Sequence, residues 1–177
     1  MKRVLAAVGW TVGLQALWGF VQVVLVLWLG DKQWVRENFL AAQYRTTPGQ
    51  LSGLTDDIVT AMLYGATITF LIGLIASLLW VVISGLRRIY VPGQAAQMRG
   101  RWIALLIIGA VACGGVTWWL IDSTGAVLRD GTIKLAIAAA VLFVISYYVV
   151  GTLWSTVAKI RPAVPLAVPF ARLLKVG

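Results

Sequence analysis

Ile58–Leu86 reads IVTAMLYGATITFLIGLIASLLWVVISGL, 29 residues without a formal charge. A helix needs about 20 apolar residues to cross a hydrocarbon core of about 30 Å, so this run crosses with residues to spare. Small side chains recur at every fourth position: Ala61, Gly65, Thr69, Gly73 and Ser77, then Val81 and Gly85. On a helix that spacing makes a groove where another backbone can come close. Each four-residue step drifts about 40° around the helix, so the stripe turns through about 160° from Ala61 to Ser77. One straight partner cannot follow such a path. The expectation is two successive seams, an outer one (Ala61, Gly65, Thr69) and an inner one (Gly73, Ser77). Helix 1 or helix 3 would fill them inside the chain, and any remainder is left for a neighbouring subunit.

The surrounding composition places the run in a membrane protein. Of 177 residues, 60% are hydrophobic and only 12% charged, with a mean hydropathy of +0.90. A soluble domain carries about 25% charge, so the apolar excess here is expected to face lipid. The net charge of +9 is explained by position. Basic residues without acids gather at Lys2 and Arg3, at Arg87, Arg88, Arg99 and Arg101, and at Lys159, Arg161, Arg172 and Lys175. All six acids lie in the other two connections: Asp31, Glu37, Asp56 and Asp57 in one, Asp122 and Asp130 in the other. Basic flanks that alternate in this way put both termini and the middle loop in the cytoplasm.

Helix 1 is read as Val4–Leu29, a retained signal anchor: the apolar run exceeds a signal-peptide h-region and no small-x-small cleavage site follows it. Thr11, Gln15, Trp18 and Gln22 fall within an arc of about 60°, with Gly9 and Gly13 on the opposite side. A glutamine in hydrocarbon is costly unless its amide finds a partner, so both faces are expected to be covered by protein, one by hydrogen bonds and one by close packing. Residues 31–57 form the external segment. Within it, the stretch containing Trp34, Phe39 and Tyr44 suits a short helix along the outer surface. Turn chemistry at Thr47-Pro48-Gly49 ends it, and Thr55 is expected to cap helix 2 with Asp56 and Asp57 in its first turn.

The middle loop, LRRIYVPGQAAQMRGR, contains the expected turn Pro92-Gly93. Its arginines Arg87, Arg88, Arg99 and Arg101 are the expected contacts for anionic lipid headgroups or an acidic partner. Nucleic acid is less expected, since the basic residues have no interleaved aromatic platform beyond Tyr90. Helix 3 is Trp102–Ile121, with Cys113 spaced between Gly109 and Thr117 as a small packing residue, and Gly114-Gly115 permitting a bend or a close approach. Helix 4 is Ile133–Val157, whose packing face is Ala136, Ala140, Phe143, Tyr147 and Gly151. The tail, residues 158–177, holds Pro162, Pro165 and Pro169, which exclude a continuous helix.

The fold class expected is therefore an all-α integral membrane protein: one domain over residues 1–177, four transmembrane helices, N-in/C-in, with an external interfacial helix. Chemistry is sparse. There is no histidine, the lone cysteine lies in an apolar run, and no acid or base lies deep within a span. That weighs against metal sites, activated nucleophiles and ion-coupled transport, and neither a phosphate-binding nor a dinucleotide glycine motif is present. No enzyme activity and no cofactor are expected. The four-helix layout with basic cytoplasmic segments is similar to that of small accessory proteins of bacterial secretion and conjugation machines. The resemblance is one of layout, and it implies a non-catalytic subunit or scaffold among other membrane-protein subunits in a bacterial inner membrane. The alternative is a channel or uncoupled carrier, with Thr11, Gln15 and Gln22 lining its path.

Overall fold

The computed structural model describes residues 2–30, 51–85, 92–124 and 129–157, and all of them are helical. The elements are α1 (Lys2–Gly30), α2 (Leu51–Gly85), α3 (Pro92–Thr124) and α4 (Arg129–Val157). Each contains a stretch long and apolar enough to cross a membrane: Leu5–Leu29, Asp57–Gly85, Gln97–Asp122 and Gly131–Trp154. The proposed interfacial helix, Arg87, Arg88 and the proline-containing tail lie outside the described residues.

Two helix starts differ from the sequence expectation. Thr55 does not cap α2; the helix already begins at Leu51, so Thr55 lies inside its first turns. Propagation adds one hydrogen bond for each residue fixed, and the described stretch from Leu51 to Leu54 contains no proline to forbid helix, so the helix is already under way at the capping signal. Likewise Pro92-Gly93 is not a turn but the opening of α3. Proline at the first helical position lacks only an N–H that would have had no partner there, and Gln94-Ala95-Ala96-Gln97-Met98 are strong helix formers.

The bundle runs up-down-up-down. Gln15 and Gly19 of α1 meet Gly73 and Phe70 of α2, and Gly65 of α2 meets Thr117 of α3, so both pairs are antiparallel. Gly109 and Gly114 of α3 meet Phe143 and Ala136 of α4, again antiparallel. α2 and α4 run parallel, from Thr69 beside Ala139 to Ser84 beside Trp154. These two form the central pair and each packs on all three other helices, whereas α1 lies chiefly on α2, and α3 on α4. Burial follows that layout: 44% of the apolar window of α2 and 39% of that of α4 are buried, against 17% for α1 and α3.

The core is aromatic where α3 begins and α4 ends. Trp80, Trp102, Phe143, Tyr147 and Trp154 are buried there with Met98 and Val81. Phe143 stacks on Tyr147 with ring centroids 5.7 Å apart, and Tyr147 on Trp102 at 5.3 Å, while Tyr148 meets Trp102 edge-on at 6.0 Å. Offset stacks of this kind add about 0.5–1.5 kcal/mol beyond area burial. Two glycines of the flanking helices make room for the ladder. A Cβ on Gly109 would overlap the Phe143 ring, and one on Gly151 would stand 2.6 Å from Trp102 Nε1. The indole of Trp154 donates to Ser84 Oγ, and Ser84 in turn donates to the Trp80 carbonyl, whereas Trp102 Nε1 is buried without a hydrogen-bond partner among the described residues.

Gly109→Ala therefore forces a ring enclosed on all sides to move, and overpacking of that kind costs about 1–3 kcal/mol. The expected result is a lower melting temperature in detergent. Gly115→Ala, at a neighbouring glycine facing open space, should leave the melting temperature unchanged or slightly raised.

Candidate functional site

Where the stripe of α2 crosses the middle of the bundle, it gathers buried polar side chains from all four helices: Gln15, Thr69, Ser77, Thr117 and Ser146. At Gly73 the absent side chain lets the amide of Gln15 come in: Gln15 Oε1 and Ser146 Oγ each lie 3.3 Å from where a Cβ would stand. Gln15 Nε2 donates to Ser77 Oγ at 3.0 Å and to the Gly73 carbonyl at 3.4 Å, so both amide protons go to α2. Ser146 Oγ donates to the Phe143 carbonyl of its own helix at 3.0 Å. Three helices thus meet at one glycine, and Gln15 is fully enclosed.

One turn along α2 toward its start, the partners change. Thr69 Oγ1 lies 2.8 Å from the Gly65 carbonyl and 3.4 Å from both Cys113 Sγ and the Ala139 carbonyl. Its single proton goes to the nearest acceptor, Gly65. The Cys113 thiol then donates, shared between Thr69 Oγ1 and the Ala139 carbonyl at 3.6 Å. The Thr117 methyl stands 3.5 Å from a Cβ position on Gly65, an ordinary contact distance. Ala61, the outermost member of the stripe, is buried as well. The outer part of the stripe therefore faces α3 and α4, and the inner part α1 and α4.

The other singled-out residues divide clearly. Ala140 Cβ lies 3.6 Å from the Cβ position of Gly114, which also approaches the Ala136 carbonyl to 3.3 Å, so α3 and α4 touch backbone to backbone there. Gly151 is the seat of Trp102. Thr11, Gln15 and Gln22 are all buried on one face of α1. Gly9 and Gly13, by contrast, are exposed, and a Cβ at either would meet nothing within 4 Å. The close packing expected on that face does not occur among the described residues, because α1 lies chiefly on α2 and turns its polar face to it. Arg99 and Arg101 are exposed near the start of α3.

Sequence reasoning did not single out Gly19, which seats Phe70 at 3.0 Å, or Ser146, Ser84 and Trp154. A lone glycine in an apolar run carries no periodic signal, and a serine that bonds its own helix looks like any other. Chemically, the site is a set of hydrogen bonds between helices. Several atoms within it stay unpartnered: Gln15 Oε1, Trp18 Nε1, both amide atoms of Gln22, and Thr117 Oγ1. Each such buried polar atom costs about 1–3 kcal/mol.

A double-mutant cycle of Gln15→Leu with Ser77→Ala, read by reversible unfolding in bilayers or mixed micelles, is expected to give a coupling near the membrane-protein range of about 0.6–1.7 kcal/mol. A coupling of zero would show that the contact contributes no stability. No protein-family model matches the chain, and no curated protein and no solved structure is significantly similar to it.

Proposed function

We propose that the chain is a multi-pass membrane protein with both termini and the α2–α3 connection in the cytoplasm, and that it serves as a non-catalytic subunit or scaffold of a larger membrane assembly. Its placement in lipid is supported by four apolar helices whose outward side chains are large and hydrophobic, among them Trp10, Phe20, Ile108, Val111 and Trp119. An apolar surface this extensive is not tolerated in water by a monomer. Orientation follows the basic segments. In that orientation Arg87, Arg88, Arg99 and Arg101 stand at the cytoplasmic interface, where anionic headgroups attract them.

The observation that carries the assembly reading is the free face of α1. Gly9 and Gly13 have the spacing by which transmembrane helices pack backbone to backbone, yet they face outward with open space. Of the other glycines described, Gly73 is filled by Gln15, Gly109 by Phe143 and Gly151 by Trp102, whereas Gly93, Gly100 and Gly115 of α3 also face open space; among the open glycines described, only Gly9 and Gly13 stand four residues apart. The layout of the four helices and their basic flanks is also similar to that of accessory subunits of bacterial secretion and conjugation machines, which points to a bacterial inner membrane. A channel or uncoupled carrier is the second reading, and it draws on the unpartnered amide of Gln22. The enclosure of Gln15, with both its amide protons bonded to α2, favours the first.

Purification in mild detergent or native lipid is expected to give a particle well above the 19.2 kDa of one chain. Gly9→Leu combined with Gly13→Leu should reduce the particle mass while leaving helicity and melting temperature intact, since a Cβ at either glycine meets nothing among the described residues. A single chain per particle in lipid overturns the assembly reading. Liposome flux abolished by Gln15→Leu and Gln22→Leu would establish the carrier instead.

A further inference from the structure

Gln22 is the least satisfied group in the described structure. It is 2% exposed, and both its amide nitrogen and its amide oxygen lack a partner. Along the same face of α1, Trp18 Nε1 and Gln15 Oε1 are buried and unpartnered too. These residues occupy successive turns, so four unpartnered polar atoms line about 10 Å of one seam. The register of α1 on α2 passes through Gln15 at Gly73 and Gly19 at Phe70, and carries Gln22 on to the level of Ala66. Gly73 and Ala66 are too small to reach across to an amide, and Phe70 between them has no polar atom. A primary amide has two protons to donate and an oxygen that accepts twice, so its requirement is for a small molecule that both donates and accepts.

We propose that the seam between α1 and α2 binds a short file of internal water molecules, anchored on the Gln22 amide and running past Trp18 Nε1 to Gln15 Oε1. Water matches each atom. Its oxygen accepts from Gln22 Nε2 and from the Trp18 indole, and its protons go to Gln22 Oε1 and Gln15 Oε1. Each buried water needs two to four polar partners, so the waters of the file bond to one another as well as to these side chains. The filled knot at Gly73, where Gln15 Nε2 donates to Ser77 and to the backbone, closes the file on one side. The seam is then wet along Gln22 and Trp18 and directly bonded at Gln15. This inference is independent of assembly, because it concerns atoms enclosed within one chain.

The test is solid-state NMR of the full chain in lipid bilayers, with glutamine side chains labelled with nitrogen-15. Gln33, Gln43, Gln50, Gln94 and Gln97 are replaced by asparagine, so that only Gln15 and Gln22 report. Magnetisation is transferred from water protons to the two amides, and Q15M assigns the Gln22 signal by elimination even where Q22M does not fold. Transfer from water to the Gln22 amide is expected. An amide that receives magnetisation from aliphatic protons alone, with the water transfer lost, overturns the proposal. In the variant that retains Gln22, Trp18→Phe should leave the Gln22 transfer intact while removing one acceptor demand on the file. Loss of water from Gln22 in Trp18→Phe, with the fold retained, would overturn the anchoring role given to Gln22.

Discussion

The structure depends on the close approach of α1 to α2 at Gly73. Only a residue without a side chain lets the Gln15 amide lie against the backbone of α2 and donate both protons there. An amide in an apolar interior is expensive unless bonded, so the approach and the bonds require one another. α4 closes the third side through Ser146. Because helices in hydrocarbon gain nothing from burying apolar surface against each other, their contacts rest on such fits and on hydrogen bonds. The knot at Gly73 supplies both.

From that point the two ends of the bundle are built differently. Toward the start of α3 and the end of α4, the core is a ladder of rings, seated in glycine notches at Gly109 and Gly151 and held at its edge by Trp154 and Ser84. Toward the end of α1 and the start of α2, the core is made of small residues and scattered polar atoms, with Thr69, Cys113 and the Ala139 carbonyl in one cluster and Gln22 on the other side of α2. Rings fill space and leave few degrees of freedom. Small residues bring backbones together but leave polar groups to be satisfied by whatever fits between them.

The peripheral position of α1 bears on the proposed assembly. It lies on α2 with little contact to α4, and its glycine face points away from the bundle. α3 is as little buried but fits α4 closely, through Gly109 and Gly114. α3 has open glycines too, at Gly93, Gly100 and Gly115, but only Gly9 and Gly13 of α1 stand at four-residue spacing among the open glycines described, and the proposed assembly rests on that pair.

Hydropathy alone located the four apolar helices, since about 20 consecutive apolar residues satisfy their own backbone only as helix. The four-residue spacing on α2 also marked out Gly65, Thr69, Gly73 and Ser77 before any partner was known. What spacing leaves open is which helix fills each groove, because a groove on one helix is the same whatever lies in it. The tertiary structure put Gln15 at Gly73, Thr117 at Gly65 and Cys113 at Thr69, and left Gly9 and Gly13 open although they carry the same spacing. It also moved the starts of α2 and α3 back to Leu51 and Pro92, where helix propagation outran local capping signals. The fold class follows from local periodicity and length. The joints between helices follow from side-chain shape across residues 26 to 70 positions apart, as with Cys113 and Ala139 or Thr69 and Ala139, and no single stretch of sequence contains both halves of such a fit.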